Sequence, residues 1–206
     1  PKKFNLIELG AGNGEMMFQI TNTFKKFPIF RASCKVSILE KSDYLKNIQK
    51  TKLKDKKIVW IKSLSQLPSL PNIFIANEFF DALPIKQFIK KKNKWFEKNV
   101  ELINSKKPKI IDIECDIKKI EKKLKFKISN NQNFIEYSPL LIRYISTISK
   151  KIIKSNGGIL IIDYGYLDKK MKNTLKSISS HKFTDILNNF GKADITYNIN
   201  FFDIVE

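Results

Sequence analysis

An α/β fold with a mostly parallel sheet and helices on both faces is predicted for this 206-residue chain by three observations. Short apolar runs alternate with helix-length amphipathic stretches, as repeated βαβ units require. The first run closes on a glycine loop, Gly10-Ala11-Gly12-Asn13-Gly14. The run Asn72 to Ala76 is almost wholly apolar, as a strand covered on both faces should be.

Taken in order, Asn5 to Leu9 reads as a strand entering the tight turn. Glu15 to Phe27 reads as a helix, with Met16, Met17, Ile20 and Phe24 near helical spacing. Lys35 to Glu40 is the second strand, and Ser42 to Gln49 a helix capped by Ser42. Lys57 to Ile61 and Asn72 to Ala76 are the third and fourth strands. Pro139 to Ser155 is a helix; Gly158 to Asp163 and Asp194 to Asn200 are the fifth and sixth strands. The lysine-rich stretch Ile85 to Phe134 interrupts this order and reads as an inserted antiparallel hairpin or small sheet. The expectation is one Rossmann-like domain over 1–206, with the insert at about 85–134. Because it begins almost inside the first strand and stops after six, the chain is expected to be truncated at both ends.

Composition narrows the functional classes. A hydrophobic content of 42% over 206 residues supports one sizeable folded core. Apolar runs such as Gly157 to Ile162 are too short to span a bilayer. The start, Pro1 to Ile7, runs into a glycine loop instead of a signal cleavage site. Cys34 and Cys115 lack metal spacing and read as ordinary reduced thiols of a cytosolic-type compartment, with which a bacterial-type cytoplasm and a mitochondrial matrix are both compatible. No His/Cys cluster points to a metal. The net charge of +19 invites a nucleic-acid reading. Yet Arg31 and Arg143 are the only arginines, and the lysines are spread along the chain. Abundant Lys, Ile, Asn and Phe are what an AT-rich coding sequence gives, so a solvated lysine surface is the preferred reading and nucleic acid is disfavoured.

The loop carries the cofactor expectation. Glycines let the backbone take positive φ and approach a ligand closely, and the following helix start adds free N–H groups and partial positive charge. A dinucleotide fingerprint counted from Gly10 and Gly12 needs a small residue at position 15. Glu15 stands there and would repel a pyrophosphate. S-adenosyl-L-methionine has no phosphate and carries an ammonium and a sulfonium, so an acidic neighbour such as Glu8 is tolerable or helpful. Glu40, closing the second strand, can accept hydrogen bonds from both ribose hydroxyls. The expected cofactor residues are therefore Glu8, Gly10, Gly12, Gly14 and Glu40, joined by Asn77 at the end of the fourth strand.

The stretch Asn77-Glu78-Phe79-Phe80-Asp81-Ala82-Leu83-Pro84, with Glu8 to Gly14, resembles the MidA-like family of S-adenosyl-L-methionine-dependent methyltransferases. Ile135-Glu136-Tyr137-Ser138-Pro139, Gly157 to Gly165, His181-Lys182-Phe183 and Gly191 to Thr196 extend the resemblance over most of the chain. Ala11 and Asn13 depart from the Pro and Arg common in the family's loop. The family's upstream segment, which is expected to help close the site, is missing. The resemblance implies a class I methyltransferase fold. It also implies a protein substrate methylated on arginine, with a role in respiratory complex I assembly.

Ligands of such sheets bind beyond the carboxyl ends of the strands. Asn77, Glu78 and Asp81 follow the fourth strand and should lie beside the transferred methyl. Glu78, Asp81 and Glu136 could hold a guanidinium through charge-assisted bonds and take its proton. Asp81 could equally cap a turn, and Glu136 could be a helix-start charge. Asp163 and Tyr164 could line the substrate pocket, or Asp163 could serve only as a turn residue. Phe79 and Phe80 read as core or pocket wall, and His181 as structural ahead of a base. Two alternatives stand beside methyl transfer to protein. One is a non-catalytic assembly module using the lysine-rich insert. The other is a nucleic-acid methyltransferase, for which Glu78-Phe79-Phe80 is a poor match because the motif's prolines are absent. Acceptor identity, degree of methylation and oligomeric state leave no signal in the sequence.

Overall fold

The computed structural model describes residues 2–54, 56–104, 107–124, 132–188 and 191–205, so the 125–131 part of the expected insert lies outside the described residues. In chain order the elements are β1 (Phe4–Leu9), α1 (Glu15–Thr23), α2 (Pro28–Ser33), β2 (Cys34–Leu39), α3 (Asp43–Lys52), β3 (Ile58–Ile61) and β4 (Asn72–Asn77). An antiparallel set follows, β5 (Lys86–Lys91), β6 (Lys94–Ile103) and β7 (Lys107–Cys115), then α4 (Ile117–Leu124) and β8 (Phe134–Tyr137). Next come α5 (Pro139–Ser155), β9 (Gly157–Ile162), β10 (Gly165–Tyr166), β11 (Lys176–Ser179) and β12 (Lys182–Thr184). The last are β13 (Asp194–Thr196), β14 (Ile199–Asn200) and α6 (Phe202–Val205).

The chain divides into two compact units: residues 1–80 with 143–163, and residues 81–142 with 164–206. The first contains a five-stranded parallel sheet in the order β3-β2-β1-β4-β9. Ile7, Leu9, Ile38, Phe74 and Ala76 are almost fully buried along its central strands. Leu6, Ala11, Met17, Val36, Ile38 and Leu53 form one continuous apolar cluster that ties α1 and the segment after α3 to the sheet. The second unit contains the antiparallel sheet β7-β6-β5-β8, the antiparallel trio β12-β11-β13 and the short parallel pair β10-β14. Its core gathers Phe88, Trp95, Ile120, Ile135, Tyr137 and Met171.

Local chemistry explains the boundaries. The helix expected over Glu15 to Phe27 stops at Thr23, passes through a 3-10 turn and gives way to α2. Pro28 causes the break: it disfavours helical backbone at the preceding residue, and Phe27 adopts φ −129° and ψ 72°. Ser42 caps α3 as expected, its side chain accepting from the Leu45 N–H at 3.2 Å. Gly157 opens β9 at φ +139° where any Cβ would lie 1.8 Å from the Asn72 carbonyl oxygen. Only glycine lets β9 enter the sheet beside β4 there.

One expected strand is corrected. Asp194 to Asn200 does not form a sixth parallel strand; it breaks at Tyr197-Asn198 into β13, antiparallel to β11, and β14, parallel to β10. Asn198 donates its N–H to Thr174 and Tyr197 donates its N–H to the Asp81 carbonyl, which takes the backbone out of one continuous ladder.

Candidate cofactor site

Strand order reverses at β1, with β2 on one side and β4 on the other, which is where open α/β sheets hold ligands. The registers Leu9↔Leu39 and Leu9↔Ala76 bring three strand ends level. The Gly10 N–H donates to the Leu39 carbonyl at 3.0 Å, and the Glu40 N–H to Ile61 at 3.2 Å. The glycine loop, Glu40 and the segment Asn77 to Phe80 therefore leave the sheet side by side.

The three loop glycines serve different needs. All have positive φ: +66° at Gly10, +53° at Gly12 and +83° at Gly14. A Cβ on Gly10 would lie 2.6 Å from the Phe79 ring, so Phe79 packs where a side chain would be. A Cβ on Gly12 would meet nothing within 4 Å, so this position offers bare backbone to open space. Gly14 closes the turn by donating to Ala11 at 2.7 Å and forms the N-cap of α1. Glu15 then stands exposed at the helix start, and hydrogen bonds from Lys52 and Gln19 hold its carboxyl below the usual range. Its charge is paired with Lys52 at the surface.

Glu8 is 2% exposed on β1, and its Oε2 has no hydrogen-bond partner among the described residues. Burial raises its pKa to about 7 from an ordinary 4.5. Glu40 is also buried, but it is held: Oε1 accepts from the Ser42 N–H at 2.8 Å and Oε2 from the Gln49 amide at 2.9 Å. Gln49, fully buried, also donates to the Gly12 carbonyl at 2.9 Å and accepts from the Trp60 indole at 2.8 Å. Gln49 is absent from the residues that the sequence singles out. A signal exists: Leu45, Gln49 and Leu53 recur every four residues, so one polar residue interrupts an apolar spacing that leads off α3.

At the end of β4, Asn77 pairs with Ile162 and is half-buried. Glu78 is exposed and takes φ +46°, its N–H donating to the Ile162 carbonyl at 2.9 Å. Asp163 Oδ2 accepts from the Phe80 N–H at 3.0 Å, so it braces this strained turn from the neighbouring strand. Phe80 is fully buried, and Phe79 makes edge contacts with Phe80 and Tyr144 at 5.2 and 5.3 Å between centroids.

The remaining candidates belong to the second unit. Asp81 Oδ2 accepts from the Thr196 hydroxyl at 2.7 Å. Glu136 lies within β8, not at a helix start, and its carboxylate accepts from the Thr174 N–H and hydroxyl and from Gln87. Tyr164 is exposed, with Lys176 Nζ 5.7 Å from its ring centroid. His181 is an exposed residue at φ +61° in the two-residue turn between β11 and β12.

A glycine loop at the switch point, with an acidic residue closing the neighbouring strand, defines a nucleotide-cofactor-binding α/β protein. All of residues 1–206 match the family described as "Putative S-adenosyl-L-methionine-dependent methyltransferase", and the chain belongs to that family. It is 27% identical over 239 residues to Protein arginine methyltransferase NDUFAF7, mitochondrial, of Xenopus laevis, an alignment covering 98% of this chain and 51% of the relative. The Caenorhabditis elegans homologue of that enzyme is 30% identical over 226 residues, covering 96% and 51%. The chain thus spans about half the length of the curated relatives it matches. A crystal structure from Burkholderia thailandensis bound to S-adenosyl-homocysteine aligns with TM-score 0.75 at 18% identity, covering 98% of this chain and 54% of that one. A native structure from the same organism aligns with TM-score 0.78 at 18% identity, covering 99% and 56%. The shared fold agrees with the expected methyltransferase architecture.

Proposed function

We propose that the first unit holds S-adenosyl-L-methionine and that the whole protein transfers its methyl group to an arginine side chain of a protein. The observation that carries the cofactor half is the orphaned Oε2 of Glu8. A buried carboxylate without a partner is costly unless a cation meets it. The cofactor's ammonium is such a cation, and the glycine loop beside Glu8 has the open backbone that close approach needs. Once bound, the cofactor supplies a methyl group on positive sulfur, activated for in-line transfer.

The chain's own residues then have distinct roles. Glu40, fixed through both oxygens, accepts from the ribose hydroxyls. Gly10, Gly12 and Gly14 set the loop, with Gly12 keeping its surface clear, and the amide of Asn77 faces the cofactor. Glu78, exposed on the turn that Asp163 braces, pairs with a guanidinium and takes up its proton. Asp81 and Glu136, whose carboxylates have donors within the second unit, and Tyr164 are secondary candidates for shaping the acceptor site. The arginine acceptor rests on the names of the relatives, and a role in complex I assembly on the family resemblance. The relatives are named as mitochondrial proteins, so a mitochondrial matrix is proposed for a eukaryotic source and a cytoplasm for a bacterial one.

The test is calorimetric titration of the cofactor into the whole protein, beside Gly12→Val and Glu8→Gln. A β-branched residue at φ +53° is strained and projects into the space kept clear by Gly12. Each variant should weaken binding at least tenfold, Glu8→Gln by roughly the loss of one charge-assisted contact and Gly12→Val by blocking close approach. A folded parent that binds no cofactor would overturn the reading and favour an assembly module. Methyl transfer from isotopically labelled cofactor, mapped by mass spectrometry, tests the acceptor; label found on a base or a small molecule removes arginine.

A further inference from the structure

Gln49 makes three hydrogen bonds with one side chain, and their chemistry leaves it a single orientation. The Trp60 indole N–H can only donate, so the amide oxygen must face it. Both amide hydrogens are then directed at acceptors: the Gly12 carbonyl and Glu40 Oε2, each at 2.9 Å. The Ser42 N–H fixes the other oxygen, Oε1, at 2.8 Å. The carboxylate plane is thereby locked by two donors, one on each oxygen. An ionised carboxylate has about four acceptor positions, so each oxygen keeps one for a ligand.

A vicinal diol needs two acceptors at fixed spacing and tilt, which a freely rotating carboxylate does not present. From this geometry we infer that Gln49 is a positioning residue for the ribose end of the cofactor. It holds Glu40 in the orientation that grips a cis-diol and ties that carboxylate to the Gly12 backbone. The inference rests on the cofactor reading above and adds the origin of its ribose specificity. Gln49 touches no ligand in this role; it acts through Glu40, with the Gly12 carbonyl and Trp60 fixing its own orientation.

The test compares two ligands on the whole protein, S-adenosyl-homocysteine and its 2′,3′-dideoxy derivative, by titration or competition. In the parent, the dideoxy ligand should bind clearly more weakly. Gln49→Met, similar in shape but unable to donate, should weaken S-adenosyl-homocysteine about tenfold, the scale of a hydrogen bond to a charged group. The same substitution should change the dideoxy ligand less than about twofold, because no diol remains to be oriented. Trp60→Phe, which frees the amide to turn, should show the same ligand dependence with a smaller effect, and it decides the matter if Gln49→Met does not fold. Equal weakening of both ligands would reduce Gln49 to a structural residue and overturn the inference. So would a parent that binds both ligands alike. A parent that binds neither removes the cofactor reading itself.

Discussion

Burial lifts the Glu8 carboxyl to about 7, so the folded protein holds this proton more tightly than the unfolded chain. Its effect on stability therefore has the sign opposite to that of a salt-bridged carboxylate. The cofactor-free protein loses stability as pH rises from about 4.5 to about 7 and is level beyond, as far as this residue is concerned. Glu8→Gln should raise the stability of the cofactor-free protein at pH 8 by about 1–2 kcal/mol and flatten that dependence, as measured by urea unfolding at pH 5 and 8. The same variant should bind cofactor more weakly, a trade of function for stability. A variant less stable than the parent at both pH values would mean that the Glu8 carboxylate is satisfied in the native protein. In the parent, cofactor affinity should rise from pH 6 to pH 8 as Glu8 ionises. Single residues stand out in the sequence where near neighbours form a pattern, as Glu8, the three glycines and Glu40 do around the first turn and the next strand end. Gln49 is harder to see because its importance comes from Gly12, Glu40 and Trp60, which only folding brings around it.

Strands and helices with both a period and a stop signal are legible from the sequence. The run Asn72 to Ala76, the capped α3 and the long α5 are examples. The Asp194 to Asn200 segment shows the limit. Ile195, Tyr197 and Ile199 alternate as a strand should, but hydrogen bonds from Tyr197 and Asn198 to distant residues divide it. Nothing local announces those partners. The hairpin of β11 and β12 escapes sequence reading because its turn uses Ser180 and His181 at positive φ, where Asn-Gly would have been the recognisable signal. Two substitutions probe elements directly. Gly157→Ala forces a methyl against the Asn72 carbonyl and should destabilise the protein by about 3 kcal/mol or more in chemical unfolding. Ser42→Ala removes a cap of α3 and should cost about 1 kcal/mol. An unaffected midpoint for Gly157→Ala would contradict the close approach of β4 and β9.

Over the whole chain, +19 formal charges leave a large excess of unneutralised lysine. Lys86, Lys91 and Lys94 pair with Glu97, Asp112 and Glu114, but these are partly exposed pairs worth little individually. Self-repulsion should then outweigh lost pairing when salt is added. Raising sodium chloride from a few millimolar to about 0.3 M should raise the thermal midpoint by a few degrees. A lower midpoint would mean that the ion pairs matter more than the excess. Composition could give this sign, because it depends on total charge and not on where the chain places it.

The interleaving of the two units has a consequence for synthesis on the ribosome. β4 emerges and can join β1 early, but β9, its other neighbour, follows only after roughly eighty further residues, most of them belonging to the second unit. At translation rates of about 5–20 residues per second, the outer edge of β4 waits on the order of 4–16 s for its partner. During that interval Ile73 and Ile75 lie on a strand edge that has no neighbour on the β9 side. The nascent protein is thus most open to chaperone capture, or to pairing with a neighbouring chain, while it has its glycine loop but not yet β9.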